Sequence, residues 1–109
     1  MSITLTYNGT GNLTFKGGLQ AAGIGGKGVQ TDSGTVANDS LMGNITFGAE
    51  GEVGNFKITA YGGEWAAGIG DGDSYTTDVT NLERRITMNS GIVIGYADKA
   101  AGIGTQDKL

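Results

Sequence analysis

The pentapeptide AAGIG occurs three times in this chain of 109 residues, beginning at Ala21, Ala66 and Ala100. Identical recurrence of five residues in so short a chain indicates an internal repeat, which constrains the fold more than any other feature of the sequence. The copies are unevenly spaced along the chain. We therefore expect one short structural unit that is used three times, with the differences in length confined to loops.

Two stretches upstream of each AAGIG alternate apolar and polar residues, which is the pattern of a half-buried strand. The farther stretch reads SITL at 2–5, NITF at 44–47 and RITM at 85–88. The nearer stretch carries apolar residues at equal distances from the motif, which aligns Leu13 with Ile58 and Ile92, and Phe15 with Ala60 and Ile94. Each copy thus predicts strand, turn, strand, AAGIG and loop, in repeats that span 2–43, 44–84 and 85–109.

The phase of the repeats favours a closed arrangement. The sequence starts at a first strand and stops soon after the third AAGIG, so three units around a pseudo-threefold axis would bring the two ends together. Stacked repeats usually carry modified end units, whereas these three motifs are identical. We expect a single all-β domain that is closed and pseudo-threefold, like a β-prism or β-trefoil, with a short β-solenoid as the alternative.

The motif itself fits such an axis, because alanine and glycine allow backbones to approach closely. Each copy contributes one large apolar side chain, and these are Ile24, Ile69 and Ile103. We expect the three isoleucines to be buried near one another, and the glycine amides to be structural or to act as hydrogen-bond donors to a ligand.

Composition limits the classes of function. The chain has no histidine and no cysteine, so the commonest general base and the thiol nucleophile are lacking. We expect no enzymatic activity, and the sequence indicates no cofactor. The net charge is −4 with only seven basic residues, which argues against nucleic acid as a partner because phosphate binding needs a clustered basic face.

Membrane insertion is not expected, since no apolar run approaches the length of a span. No signal peptide is visible. We nevertheless expect a secreted or cell-surface location in preference to the cytoplasm.

The residues that flank AAGIG differ between the copies, and they are the candidate ligand-binding groups. The second copy places Glu64 and Trp65 before the motif, Asp71 and Asp73 after it, and Tyr61 four residues before the indole. An aromatic face for the apolar side of a sugar ring, with carboxylates for its hydroxyls, is the chemistry of a carbohydrate site. The other copies contribute flanking charges at Lys27, Lys99 and Asp107.

We therefore predict a lectin-like carbohydrate-binding module with up to three weak, related sites for glycans. Weak single sites gain avidity when several are joined, which makes a homo-oligomer plausible as the functional form. The alternative is a structural or adhesion module that interacts with protein and binds no sugar, in which the same residues are ordinary surface groups.

Calcium binding is a further possibility that the sequence raises at Asp71, Asp73 and Asp78. Calcium takes six to eight oxygen ligands, and the remaining acids of an EF-hand loop are missing here. We expect a turn with solvated carboxylates and no metal site.

The segment GNLTFKGGLQAAGIGGKG and its second copy NFKITAYGGEWAAGIGDGD resemble the glycine-rich GAGIGGG-type repeats of bacterial surface proteins. Those repeats pair an alternating Ile-Thr strand and a Gly-Gly with a segment of this kind, and some are described as carbohydrate-binding. The resemblance covers about half of the chain, and it implies a surface module with glycans as its partners.

Overall fold

The computed structural model describes residues 3–5, 11–26, 42–51, 53–72 and 85–104. Within these ranges the chain is all-β, as predicted, and contains no helix. The strands are β1 (Ile3–Leu5), β2 (Gly11–Lys16), β3 (Ile24–Gly25), β4 (Ile45–Phe47), β5 (Phe56–Tyr61), β6 (Ile69–Gly70), β7 (Ile86–Met88), β8 (Ile92–Tyr96) and β9 (Ile103–Gly104).

The strands form three small sheets of three parallel strands each, and none of these sheets is closed. Each predicted repeat contributes one strand to every sheet, in the orders β1-β4-β7, β2-β5-β8 and β3-β6-β9. The prediction of a closed pseudo-threefold domain is therefore wrong for the described residues. Corresponding strands are hydrogen-bonded neighbours, because parallel pairing satisfies the backbone N–H and C=O groups of one repeat with those of the next.

The register follows the predicted alignment in two of the three sheets. The rows that are paired as expected include Ile3, Ile45 and Ile86 in one sheet, and Ile24, Ile69 and Ile103 in another.

In the remaining sheet the predicted alignment of the third repeat is wrong by one residue, since Ile58 pairs with Val93 and not with Ile92. The cause is a shorter connection between strand and motif. Residues 17–20 and 62–65 make this connection in the first two repeats, whereas only 97–99 make it in the third.

The apolar core is deepest in the middle repeat, because the strands of the other two repeats cover it on both sides. Its buried members are Ile24, Met42, Ile45, Phe47, Phe56, Ile58, Ala60 and Ile69. Ile24 and Ile69 are buried as predicted, but the prediction is wrong for Ile103, which is 43% exposed. Ile103 lies on the last strand of its sheet, beyond which no further strand is described, although Ile24 on the opposite outer strand is buried.

The glycines of AAGIG allow successive repeats to lie close together. Gly70 has a φ of 142°, in the region that favours glycine, and a Cβ atom at this position would overlap the carbonyl oxygen of Gly104. The neighbouring Ile69 N–H donates to the carbonyl oxygen of Gly102 at 2.9 Å. Small residues are thus needed where parallel backbones meet, and not around a threefold axis.

Candidate functional site

A row of exposed side chains runs across the ends of β2, β5 and β8, where Lys16, Tyr61 and Tyr96 are paired in register. We call it the tyrosine row. The rings of Tyr61 and Tyr96 are stacked, with centroids 5.1 Å apart and planes inclined by 12°. The ammonium group of Lys16 lies 5.8 Å from the Tyr61 centroid. Parallel strands are spaced by about 4.8 Å, so in-register pairing places the two phenol rings at stacking distance.

Gln20, Trp65 and Lys99 directly precede the AAGIG motifs, and we call them the tryptophan row. Trp65 lies in a tight turn in which the Ala66 N–H donates to the Gly63 carbonyl oxygen at 3.1 Å. Its φ is 65°, a left-handed conformation that is rare for a bulky residue. Gln20 has the equivalent conformation, with a φ of 59°. The turn therefore sets the backbone, and the indole is 42% exposed.

Within the tryptophan row Lys99 contacts Trp65, and it also contacts Glu64, the residue that precedes Trp65. Its ammonium nitrogen lies 4.8 Å from the centroid of the Trp65 ring and 3.9 Å from Glu64 Oε1. Both the ammonium and the carboxylate side chains are about half exposed. An indole, a carboxylate and an ammonium group thus lie together on a surface that is partly open to solvent.

The structure brings Lys99 into contact with both Glu64 and Trp65. Tyr61 lies at the end of β5, the strand that leads into the turn with Glu64 and Trp65. These four predicted site residues belong to the surface that the two rows form. The predicted residues Lys27, Asp73 and Asp107, together with Asp78, lie outside the described residues.

Asp71 does not belong to this surface, although the sequence predicted it there. Its side chain is fully buried, and Oδ1 accepts a hydrogen bond of 2.8 Å from the backbone N–H of Met42. The carboxylate therefore binds to the chain that enters β4. A buried carboxylate is stabilised when backbone N–H groups donate to it, which accounts for an acid at this position without a ligand.

Glycine amides in the second motif and in the turn before it are also hydrogen-bonded within the fold. The N–H of Gly68 in the motif donates to the Ala101 carbonyl oxygen at 3.3 Å, and the N–H of Gly63 in the preceding turn donates to the Ala21 carbonyl oxygen at 2.9 Å. These amides donate to the neighbouring repeats, so their role is structural and they are not available as donors to a ligand.

Tyr96 and Lys16 were not predicted from the sequence as site residues. Counting back from each AAGIG pairs Tyr61 with Gly95, and the shorter connection in the third repeat conceals the true partner. The signal that could have identified Tyr96 is the small residue followed by tyrosine in both Ala60-Tyr61 and Gly95-Tyr96.

The described ranges hold no group of three or more acidic, histidine or cysteine side chains that could bind a metal ion. They also include no helix of the length and hydropathy that a membrane span requires.

No family model matches the chain, and no match was found among curated proteins or among solved structures. The chemistry of the two rows is accordingly the basis for assigning a function.

Proposed function

We propose that this chain is a lectin-like carbohydrate-binding module built on a short β-solenoid. The three parallel sheets support the solenoid, because each repeat contributes one strand to every sheet in the same order. The tyrosine and tryptophan rows are the proposed binding surface. Ligands of this surface would be glycans whose sugar rings follow the direction in which the repeats are stacked.

The observation that carries this proposal is the placement of Trp65 outside the core. A left-handed backbone costs a non-glycine residue about 1–3 kcal/mol, and this turn exposes much of a large apolar ring. Such a residue is unfavourable for folding alone. It is useful if the indole covers the apolar face of a pyranose, as aromatic side chains with exposed faces do.

The neighbouring groups supply the polar half of the recognition. The Glu64 carboxylate can accept hydrogen bonds from sugar hydroxyls, and the Lys99 ammonium group can donate to ring and hydroxyl oxygens. The stacked phenol rings of Tyr61 and Tyr96 add a second aromatic surface. Since each hydrogen bond contributes only about 0.5–1.5 kcal/mol net, a single site of this kind has an affinity in the millimolar to micromolar range.

The test is isothermal titration calorimetry with short oligosaccharides chosen from a glycan array. Trp65→Gln is the informative variant, because Gln20 occupies the same turn position with nearly the same φ, so the backbone is preserved. We expect binding to weaken by at least about tenfold, which corresponds to 1.4 kcal/mol. Leu19→Ala is the matched control, because Leu19 precedes Gln20 in the first-repeat turn and is exposed.

A structural module is the second candidate, and the contacts of Lys99 favour it. This side chain of the third repeat contacts Trp65 and Glu64 of the second, and the two tyrosines stack across the same junction. The two rows would then stabilise the packing of the third repeat on the second. A protein that binds no glycan on a broad array, and in which Trp65→Gln only lowers the free energy of unfolding, would establish this function and refute the lectin proposal.

A further inference from the structure

The third repeat forms one edge of all three sheets. Within the described residues, β7, β8 and β9 each have a neighbouring strand on one side only. Three large apolar side chains on this edge are exposed, namely those of Met88, Ile92 and Ile103. A sheet edge presents unpaired backbone N–H and C=O groups and readily pairs with another strand.

The first repeat forms the opposite edge of the same sheets, with strands that match those of the third. β1 and β7 share the residues Ile-Thr, and the AAGIG motif is identical at both edges. The first repeat already pairs with the second in the register in which the second pairs with the third. Its strands therefore have the spacing that is needed to add to β7, β8 and β9.

The rows of the β2-β5-β8 sheet would continue without conflict across such a junction. Phe15, Ala60 and Gly95 form a row in which size decreases, so the Phe15 ring of a second copy would lie beside the smallest residue of the row. Lys16 of that copy would lie next to Tyr96, as Lys16 lies over Tyr61 within one chain. In the Phe15 row and the tyrosine row, the junction thus places a cation against an aromatic ring and brings no like charges together.

The motif at the open edge also leaves room for another backbone. A Cβ atom on Gly25 or Gly70 would overlap a carbonyl oxygen of the next repeat. A Cβ atom on Gly104 would meet only the Ala101 Cβ, at 3.6 Å. Gly104 is therefore the residue at which the backbone of a further repeat could approach closely, and no described backbone lies against it.

We propose that the edge formed by β7, β8 and β9 binds the β1, β2 and β3 edge of a second copy of this chain, in parallel and in register. Ile92 of one copy then lies beside Asn12 of the next. This head-to-tail contact leaves one free edge at each end of a dimer, so copies add in an open series and do not close as a pair. The proposal does not depend on glycan binding.

The first experiment uses charge at the junction. Asn12 and Ile92 are exposed and both flank Lys57 in one row, so a carboxylate at either position faces a lysine within its own chain. The double variant Asn12→Glu with Ile92→Glu places two carboxylates opposite each other only between copies. The matched variant Asn12→Glu with Ile92→Lys places opposite charges there. Because its new ammonium group lies beside Lys57 of the same chain, the circular dichroism spectrum of this variant is also compared with that of the wild-type chain.

We expect the weight-average mass from sedimentation to rise steadily with concentration for the wild-type chain and the Glu/Lys variant. The Glu/Glu variant should lose this association at low salt while its circular dichroism spectrum is unchanged. A wild-type chain that stays monomeric into the millimolar range, mass that stops at the dimer, or equal association of both variants would overturn the proposal.

The second experiment fixes the register with disulfides. Residues 12 and 92 of one copy are two strand spacings apart, about 9.6 Å, which exceeds the roughly 7 Å between Cα atoms that a disulfide can bridge. Asn12→Cys with Ile92→Cys, oxidised by glutathione disulfide, can therefore crosslink only between copies.

We expect a series of covalent oligomers from this double variant. The control Asn12→Cys with Tyr96→Cys is out of register and should yield none. If Ile92→Cys alone gives disulfide dimers with equal efficiency, the third repeats bind to each other and the head-to-tail contact is refuted.

Discussion

Ile24, Ile69 and Ile103 have the same sequence context and lie in one row of one sheet, yet the first two are buried and Ile103 is exposed. Ile69 has a repeat on each side and is inaccessible to solvent. Ile103 has a described neighbour on one side only and is 43% exposed. The same residue type in the same motif therefore contributes differently to stability in the second and third repeats.

The substitution Ile69→Ala is expected to lower the free energy of unfolding by about 2–5 kcal/mol, because it removes a fully buried side chain and leaves a cavity. Ile103→Ala is the internal control and should cost clearly less, since much of that side chain is already in water. Urea unfolding of the two single variants measures the difference. Equal losses would show that the third repeat is as well covered as the second.

Asp71→Ala should act on stability and not on ligand binding. Removing the carboxylate leaves the N–H of Met42, a buried residue, without its acceptor, which costs about 1–3 kcal/mol. Glu64→Ala is the comparison at the surface, where an exposed ion pair contributes only about 0–1 kcal/mol. Thermal unfolding separates the two variants. If Asp71→Ala loses glycan affinity while its stability is unchanged, Asp71 takes part in ligand binding and this prediction is wrong.

At the scale of the elements, the junction of β6 with β9 is the tightest feature of the motif. Gly70 combines a positive φ with close approach of the Gly104 carbonyl group. Gly18, which lies in the first-repeat turn, has no atom within 4 Å of a Cβ built on it. Gly70 is therefore required for close packing of two repeats, whereas Gly18 has room for a side chain.

Gly70→Ala is expected to destabilise the protein by more than the approximately 1–3 kcal/mol of backbone strain alone, because the methyl group also displaces β9. Gly18→Ala should leave stability nearly unchanged or raise it slightly, since alanine restricts the unfolded chain. Guanidinium unfolding of both variants provides the test. A Gly70→Ala variant as stable as Gly18→Ala would mean that the repeats are further apart than the structure shows.

Alternation of apolar and polar residues was sufficient to predict the two strands upstream of each AAGIG and, where spacing to a motif was constant, their register. It did not predict the two-residue strands β3, β6 and β9 inside the motif. It could not determine how corresponding strands meet, because a strand has the same side-chain pattern whether its backbone pairs with the next repeat or faces an axis. The Tyr61–Tyr96 pair was hidden by a connection that is one residue shorter. The burial of Asp71 was not predictable because its partner Met42 is distant in the chain.

At the scale of the whole molecule, the middle repeat lies between the other two in every sheet, and the core is centred there. The outer repeats shield the middle repeat from solvent, and their own apolar side chains are more exposed than those of the middle repeat. The free energy of burial is therefore concentrated in the second repeat, although all three carry the same motif. Added copies at either edge would extend this cover.

The strand order has a consequence for folding kinetics. In the three described sheets, no strand pairs with the strand that follows it in the chain, and the first pairing joins Ile3 to Ile45. A long loop must close before any sheet hydrogen bond forms, so the entropic cost precedes the gain. We expect refolding on the millisecond-to-second timescale, without the microsecond phase of a β-hairpin. Stopped-flow fluorescence of Trp65, the only tryptophan, measures this phase, and fluorescence amplitude that is lost within the mixing time would indicate that a faster, local pairing comes first.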